Sequence, residues 1–132
     1  MKLTFNVEPV AKGRARTKFI NGQVITYTPT KTAEAQLAIQ AMIQSRTHKM
    51  FPPHTPLKLT ATFFRTKSKW LKKCETMPFR KPDLDNFCKL ISDSINGLLL
   101  PDDAQITTMI LKKRWSTNGH GSIELELTED GK

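Results

Sequence analysis

The sequence has no long apolar run, and only two of its 132 residues are cysteines. A membrane-spanning helix needs about 20 consecutive, mainly apolar residues, so the sequence predicts no membrane segment. The segment Met1–Glu8 carries one lysine but no apolar stretch, which argues against a secretory signal. Cys74 and Cys88 are not accompanied by a second pair of cysteines or by a histidine at the spacing of zinc ligands. We therefore expect reduced thiols, with Cys88 in the core, in a cytoplasmic protein.

Acidic residues are also few, because twelve Asp and Glu stand against twenty-one Lys and Arg, a net charge of +9. This basic excess favours a polyanionic partner, since each neutralised phosphate releases condensed counterions. A hydrophobic fraction of 38% is typical of a folded chain, and the length suits one domain, which we assign to residues 1–132. We expect neither a membrane partner nor a small-molecule cofactor.

The basic residues concentrate in two segments, 9–18 and 65–81. In the first segment the cations alternate, so in an extended strand they would share one side. The second segment holds one acid, Glu75, and also Trp70, whose indole can stack on an exposed base. We predict DNA contacts from cations of both segments, namely Lys12, Arg14, Arg16, Lys67, Lys69, Lys72, Lys73, Arg80 and Lys81.

The spacing of apolar residues predicts two helices and several strands. One helix is expected to open at 28–30 and to run to about residue 46, and a second helix is expected over 84–95. Strands are expected over 3–7, 18–20, 24–26, 57–63, 106–115 and 122–128. The dipeptide Asn21-Gly22 predicts a tight hairpin turn, and 106–115 and 122–128 are expected to pair antiparallel around the turn 117–121. The resulting prediction is an α+β fold, with a mostly antiparallel, mixed sheet of about four to six strands covered by the two helices.

Acidic residues gather at the start of the second helix and after Pro101. Asp83 and Asp85 lie at the helix start, Lys89 follows one turn after Asp85, and Asp102-Asp103 come after the helix. Mg²⁺ prefers hard oxygen ligands, and an ammonium group on the same helix face can stabilise charge on a reacting phosphate. A basic protein that gathers acids in this way suggests a metal site.

Distance allows these acids to meet. The helix from Asp85 to Gly97 rises about 18 Å, and the six steps from Gly97 to Asp103 extend at most about 20 Å. Asp103 can therefore return to the helix start only if the chain runs back nearly straight. The same residues also have a purely structural interpretation, because aspartates cap helices and form turns.

These residues together resemble the signature of the RusA family of Holliday junction resolvases. The resemblance is carried by Pro82-Asp83-Leu84-Asp85-Asn86, by Lys89, and by Asp102-Asp103-Ala104-Gln105. The upstream Pro9, Lys12-Gly13-Arg14-Ala15-Arg16 and Tyr27-Thr28-Pro29 resemble the N-terminal part of phage and prophage members, so the likeness spans most of the chain. It implies a RusA-like α+β fold.

The resemblance also implies an activity: a homodimeric, Mg²⁺-dependent endonuclease that makes paired nicks in opposing strands of four-way DNA junctions, in recombination and repair. By resemblance, the metal ligands are Asp83, Asp85 and Asp103, the ion is Mg²⁺ or a substituting Mn²⁺, and Lys89 is the essential lysine. The roles of Asp102 and Asn86 stay open. An arginine often precedes the first aspartate in the family, and Pro82 in that position leaves the contacts beside the scissile phosphate open.

Two other functions fit the sequence in part. A non-catalytic DNA-binding module, such as a phage regulator, explains the net charge, although no helix carries a recognition pattern of Arg, Asn and Gln on one face. An RNA-processing nuclease with the same metal chemistry is the other alternative. The residues alone do not separate DNA from RNA, or define the preferred cleavage sequence or the dimer interface.

Overall fold

The computed structural model describes residues 1–10, 16–27, 30–68 and 75–131. Its strands are β1 (Lys2–Phe5), β2 (Arg16–Ile20), β3 (Gln23–Tyr27), β4 (Leu57–Arg65), β5 (Ile106–Trp115) and β6 (Ser122–Glu129). Its helices are α1 (Thr30–Arg46), α2 (Leu84–Ile95) and a single 3₁₀ turn (Asp103–Gln105). A mixed sheet of four strands, a separate sheet of two strands and the two α-helices confirm the α+β prediction.

The four-stranded sheet has the order β1-β6-β4-β5. Strand β6 is antiparallel to both β1 and β4, whereas β4 and β5 are parallel. Side chains alternate between the faces of a strand, so the apolar residues at alternate positions of β4 and β6 turn toward one face. That face is buried, with the side chains of Leu57, Leu59, Ala61, Phe63, Ile123, Leu125 and Leu127 in the core.

The predicted pairing of 106–115 with 122–128 is wrong. Both strands form and run in opposite directions, but β4 lies between them, with Ala61 opposite Leu111 on one side and opposite Leu125 on the other. Strand β4 has the most regular alternation of buried residues, so a central position buries its apolar side chains most completely. The connection after β5 needs to cross only one strand, about 10 Å in a sheet.

The two helices cover the buried face of the sheet. In α2, Phe87, Ile91 and Ile95 are fully buried, and the Phe87 ring stacks on Phe63 with 5.3 Å between ring centroids. Helix α1 contributes Ala35, Ile39 and Ile43 to the same core, spaced four residues apart on one face. The core therefore lies between this helix pair and the sheet. None of the described helices has both the length and the apolar character needed to cross a membrane.

Local predictions are confirmed at three places. The turn Asn21-Gly22 joins β2 to β3, and both residues have positive φ, 50° and 76°, as a two-residue hairpin turn of type I′ requires. Helix α2 ends at Asn96-Gly97, where Gly97 has a φ of 79°. Cys88 is buried, as expected, and Cys74 lies outside the described residues.

Candidate active site

The start of α2 presents two exposed carboxylates. Asp83 is the N-cap residue, and its backbone carbonyl accepts a hydrogen bond from the N–H of Asn86 at 3.1 Å. Its side chain makes no capping hydrogen bond, although an aspartate at this position commonly does so. Asp85 lies in the first turn and is also exposed. Asp83 therefore has the position of a cap, but its carboxylate is not used for capping among the residues that the structure describes.

Lys89 follows Asp85 by one helical turn, and both side chains are exposed, as the sequence predicted. Phe87 and Cys88, between them in sequence, turn toward the core. Asp93 continues the series at the next turn and is partly exposed. The outer face of α2 thus carries acid, base and acid at intervals of four residues. Asp93 was not among the predicted site residues, although this spacing could have identified it.

Two backbone carbonyls before Asp83 are bound by one lysine of the sheet. The Lys113 ammonium group donates hydrogen bonds to the carbonyl oxygens of Arg80 at 2.8 Å and Pro82 at 2.9 Å. Lys113 is partly buried in β5, so this contact connects the start of α2 to the sheet edge. The sequence showed Lys113 only as the middle residue of a basic triplet and did not indicate this positioning role.

An arginine of β4 binds the same segment. The Arg65 guanidinium donates a hydrogen bond to the Lys81 carbonyl oxygen at 3.1 Å and lies over the Phe87 ring, with its carbon 5.9 Å from the centroid. A cation over an aromatic face is stabilised by the ring quadrupole. Arg65 and Lys113 together hold the three residues that lead into Asp83.

Glu75 binds two cations of the second basic segment and a tryptophan of β5. Its carbonyl oxygen accepts hydrogen bonds from the Lys67 ammonium group at 2.8 Å and from the Trp115 indole at 3.0 Å. Its carboxylate pairs with Arg80 at 2.7 Å, although the Arg80 side chain stays 59% exposed. Two of the predicted DNA-binding cations are thus engaged within the protein.

Several other predicted DNA-binding residues lie outside the described residues, namely Lys12, Arg14, Lys69, Lys72 and Lys73, together with Trp70. For Arg16 the backbone is described as part of β2. Lys81 is exposed beside Pro82. DNA contact by this set stays a prediction.

The 3₁₀ turn after α2 is a compact, capped structure. The Asp102 carboxylate accepts a hydrogen bond from the Ala104 N–H at 3.0 Å, and the Gln105 side chain accepts one from the Asp102 N–H at 3.3 Å. This reciprocal arrangement is a capping box. It gives Asp102 and Gln105 structural roles and holds Asp103 between them at the start of the turn.

Asp103 is partly buried among like charges. Burial raises the pKa of its carboxyl group, and the neighbouring carboxylates of Asp102 and Asp93 raise the pKa further. Asp93 lies two turns after Asp85, or about 12 Å along the helix. The acidic neighbours that affect Asp103 are therefore in its own turn and in the later part of α2.

Within the described part of the chain, no group of three or more His, Cys, Asp or Glu has a metal-binding arrangement. Asp83, Asp85 and Asp103 as ligands of one ion thus stay a prediction. Their chemistry fits the ion, because all three offer hard carboxylate oxygens. The negative charge that surrounds Asp103 comes from Asp102 and Asp93, so it does not by itself connect Asp103 to Asp83 and Asp85.

Comparison with known proteins extends over nearly the whole chain. A family model described as "Endodeoxyribonuclease RusA" matches residues 6–127. The protein named crossover junction endodeoxyribonuclease rusA, from Lactococcus phage r1t, is 30% identical over an alignment of 137 positions. This alignment covers 98% of this chain and 99% of the phage protein. The uncharacterized protein YqaN of Bacillus subtilis strain 168 is 27% identical over 125 residues, covering 88% of each chain.

Proposed function

Because the chain belongs to the RusA family of endodeoxyribonucleases, we propose that it resolves four-way DNA junctions, in recombination and repair, by paired nicks in opposing strands in a Mg²⁺-dependent reaction. The phage relative of similar length, whose name states crossover junction cleavage, supports the substrate. The net charge of +9 supports a nucleic acid partner.

The observation that carries this proposal is the exposed acidic and basic face of α2. Asp83 and Asp85 are exposed, and the Asp83 carboxylate is not used as a helix cap. Aspartates whose only task was to cap the helix would have side chains bound to backbone N–H groups. The free carboxylate at the helix start therefore supports a catalytic role over the purely structural one.

The metal ligands would be Asp83, Asp85 and Asp103, and the ion Mg²⁺ or Mn²⁺. When bound, such an ion polarises the phosphate and lowers the pKa of a water molecule. Lys89 lies one turn from Asp85 and would stabilise negative charge on the phosphate. Arg65 and Lys113 would act as positioning residues, since they hold the segment that carries Asp83.

Paired nicks suggest a homodimer. A four-way junction has approximate two-fold symmetry, and an isologous dimer presents two equivalent sites to two opposing strands. The proposal therefore requires two copies of this chain on one junction, each cutting one strand.

The test is incubation of the protein with a synthetic four-way junction and with a linear duplex of matched sequence, each in Mg²⁺ and in EDTA. We expect symmetric nicks in the junction in Mg²⁺ only, and little cutting of the duplex. Binding without cutting under every condition would indicate a non-catalytic DNA-binding module instead. Preferred cutting of a matched RNA junction would indicate an RNA-processing nuclease.

A further inference from the structure

A cleft of about 440 Å³ lies directly beside the 3₁₀ turn that holds Asp103. One wall is the connector before β4, with Pro53, His54 and Pro56, and the other wall includes Pro101 and Ala104. Its volume falls within the range of about 300–1,000 Å³ that is common for ligand sites. No residue that lines this cleft has a part in the proposed cleavage reaction.

The two walls of the cleft are joined by one side chain. The Gln105 amide donates hydrogen bonds to the carbonyl oxygens of Pro52 at 2.9 Å and Thr55 at 3.1 Å. The amide oxygen of Gln105 accepts from the Asp102 N–H in the opposite wall. These hydrogen bonds fix the two walls of the cleft relative to each other in the folded chain.

Three polar side chains of the walls are already bound within the protein. Gln105 is engaged on both sides, Asp102 caps Ala104, and the Thr107 hydroxyl lies 2.7 Å from an Asp130 carboxylate oxygen. What the walls offer a ligand is mainly the apolar faces of three prolines and an alanine. The occupant must therefore be recognised by a flat or apolar surface more than by hydrogen bonds.

A phosphate group does not fit this lining. The cleft has no lysine or arginine among its lining residues in the described part of the chain, and it includes the Asp102 carboxylate, which would repel an anion. A nucleobase fits better, because every base has a neutral, flat π-face. At a branch point, bases are more easily unstacked than in continuous duplex and can enter such a cleft.

His54 supplies the ring for such a contact. It lines the cleft, its side chain is exposed, and its backbone has a φ of 62°, which is uncommon for a residue other than glycine. Uncommon backbone conformations often occur at ligand-binding positions. Imidazole, like other aromatic side chains, stacks on unpaired bases.

We propose that this cleft binds the nucleobase next to the scissile phosphate after that base leaves its stack at the branch point, with the His54 ring stacked on it. The proposal rests on the proposed function, because only a phosphate near Asp103 places its neighbouring base within reach of the cleft. It makes His54 a residue that recognises the branched structure, with little preference for base identity, since the walls have few free hydrogen-bonding groups.

The test is a thermodynamic cycle between His54 and the base. Binding to a four-way junction is measured in EDTA for the wild type and for His54→Gly, with an abasic site placed in turn at each nucleotide along the strand through the crossover. Glycine accepts the positive φ, so this variant keeps the local backbone conformation. His48→Gly is the matched control, because His48 is also exposed but follows α1 and does not line the cleft.

At one position we expect the abasic site to weaken wild-type binding about tenfold, the usual scale of one stacked base, and to have little effect on His54→Gly. His54→Phe, which keeps a flat ring, should restore most of the affinity, and His48→Gly should respond as the wild type does. Equal effects of the abasic site on wild type and His54→Gly at every position would overturn the proposal. Cleavage of the intact junction in Mg²⁺ is measured separately. A failure to cut contradicts the proposed function, whereas the base contact is tested by the binding measurements in EDTA.

Discussion

The Lys113 ammonium group donates a hydrogen bond to the Pro82 carbonyl oxygen, 2.9 Å away, and so connects β5 to the residue before Asp83. This contact joins positions 31 residues apart in sequence. It indicates that part of the positive charge of this protein is used within the fold, where it holds the segment before Asp83.

Replacement of Lys113 with Met should therefore affect both stability and cleavage. The variant cannot donate hydrogen bonds to the two carbonyl oxygens, and a hydrogen bond from a charged donor contributes about 1.5–3 kcal/mol. We expect a decrease of about 2 kcal/mol in the free energy of unfolding, measured with urea. Cleavage should slow more than junction affinity falls. Lys112→Met is the control, because Lys112 is exposed and precedes Lys113 on the same strand; an equal effect in both variants would contradict the positioning role.

Lys89 distinguishes an enzyme from a binding module. Lys89→Ala should lower the single-turnover rate of junction cleavage about 10²–10³-fold, the usual scale for one preorganised donor in a transition state. Stability should hardly change, since the side chain is exposed. The rate is measured at saturating protein, with Lys49→Ala as an exposed control outside the helix. A Lys89→Ala protein that cuts as fast as the control would remove this lysine from the mechanism.

The predicted DNA-binding cations should differ in their contributions. Replacement of Arg14 and Arg16 with Ala should weaken junction binding and reduce its salt dependence by about one unit of slope for each phosphate that the protein no longer neutralises. Arg80→Gln should reduce the slope less, because Glu75 already pairs with Arg80. The measurement is the dissociation constant over a series of salt concentrations. Equal slopes for the wild type and the double variant would exclude Arg14 and Arg16 from phosphate binding.

The Asp130 carboxylate joins the end of β6 to the start of β5. Hydrogen bonds with the hydroxyls of Thr108 and Thr107 lower the pKa of Asp130 below its ordinary value of 3.8. A lowered pKa in the folded state contributes stability above the unfolded pKa, and this contribution is lost as the pH falls through the folded value. Asp130→Asn should therefore reduce stability at neutral pH and make unfolding less sensitive to acid below about pH 4. Urea unfolding of both proteins at neutral and acidic pH checks this, and an unchanged acid dependence would contradict it.

Local patterns in the sequence were sufficient to predict the helices, the hairpin turn and the strand positions, because each depends on residues a few positions apart. The position of β4 between β5 and β6 could not be predicted in the same way, since it depends on contacts such as Ala61 with Leu111 that bring distant segments together. The same limit applies to Lys113, which binds main-chain carbonyl oxygens 33 and 31 residues away in sequence. It also applies to Glu75, whose carbonyl oxygen accepts a hydrogen bond from Trp115, 40 residues away.

The candidate site was predictable only in part. The exposed face with Asp85 and Lys89 follows from helical spacing, and the structure confirms it. The role of Asp102 became clear only from its cap on Ala104. The influence of Asp93 on Asp103 depends on how the chain returns after α2, which no local pattern determines.

We propose that the aspartates at the start of α2 support junction cleavage. The single-turnover cleavage rate of Asp85→Asn at saturating protein in Mg²⁺ tests this role most directly. We expect a rate at least about 10³-fold below the wild type, with junction affinity equal or higher, because the substitution removes a charge that repels phosphate. Glu124→Gln, an exposed acid on the sheet, is the control and should cut normally. An Asp85→Asn protein that cuts the four-way junction at the wild-type rate would exclude Asp85 from the cleavage mechanism.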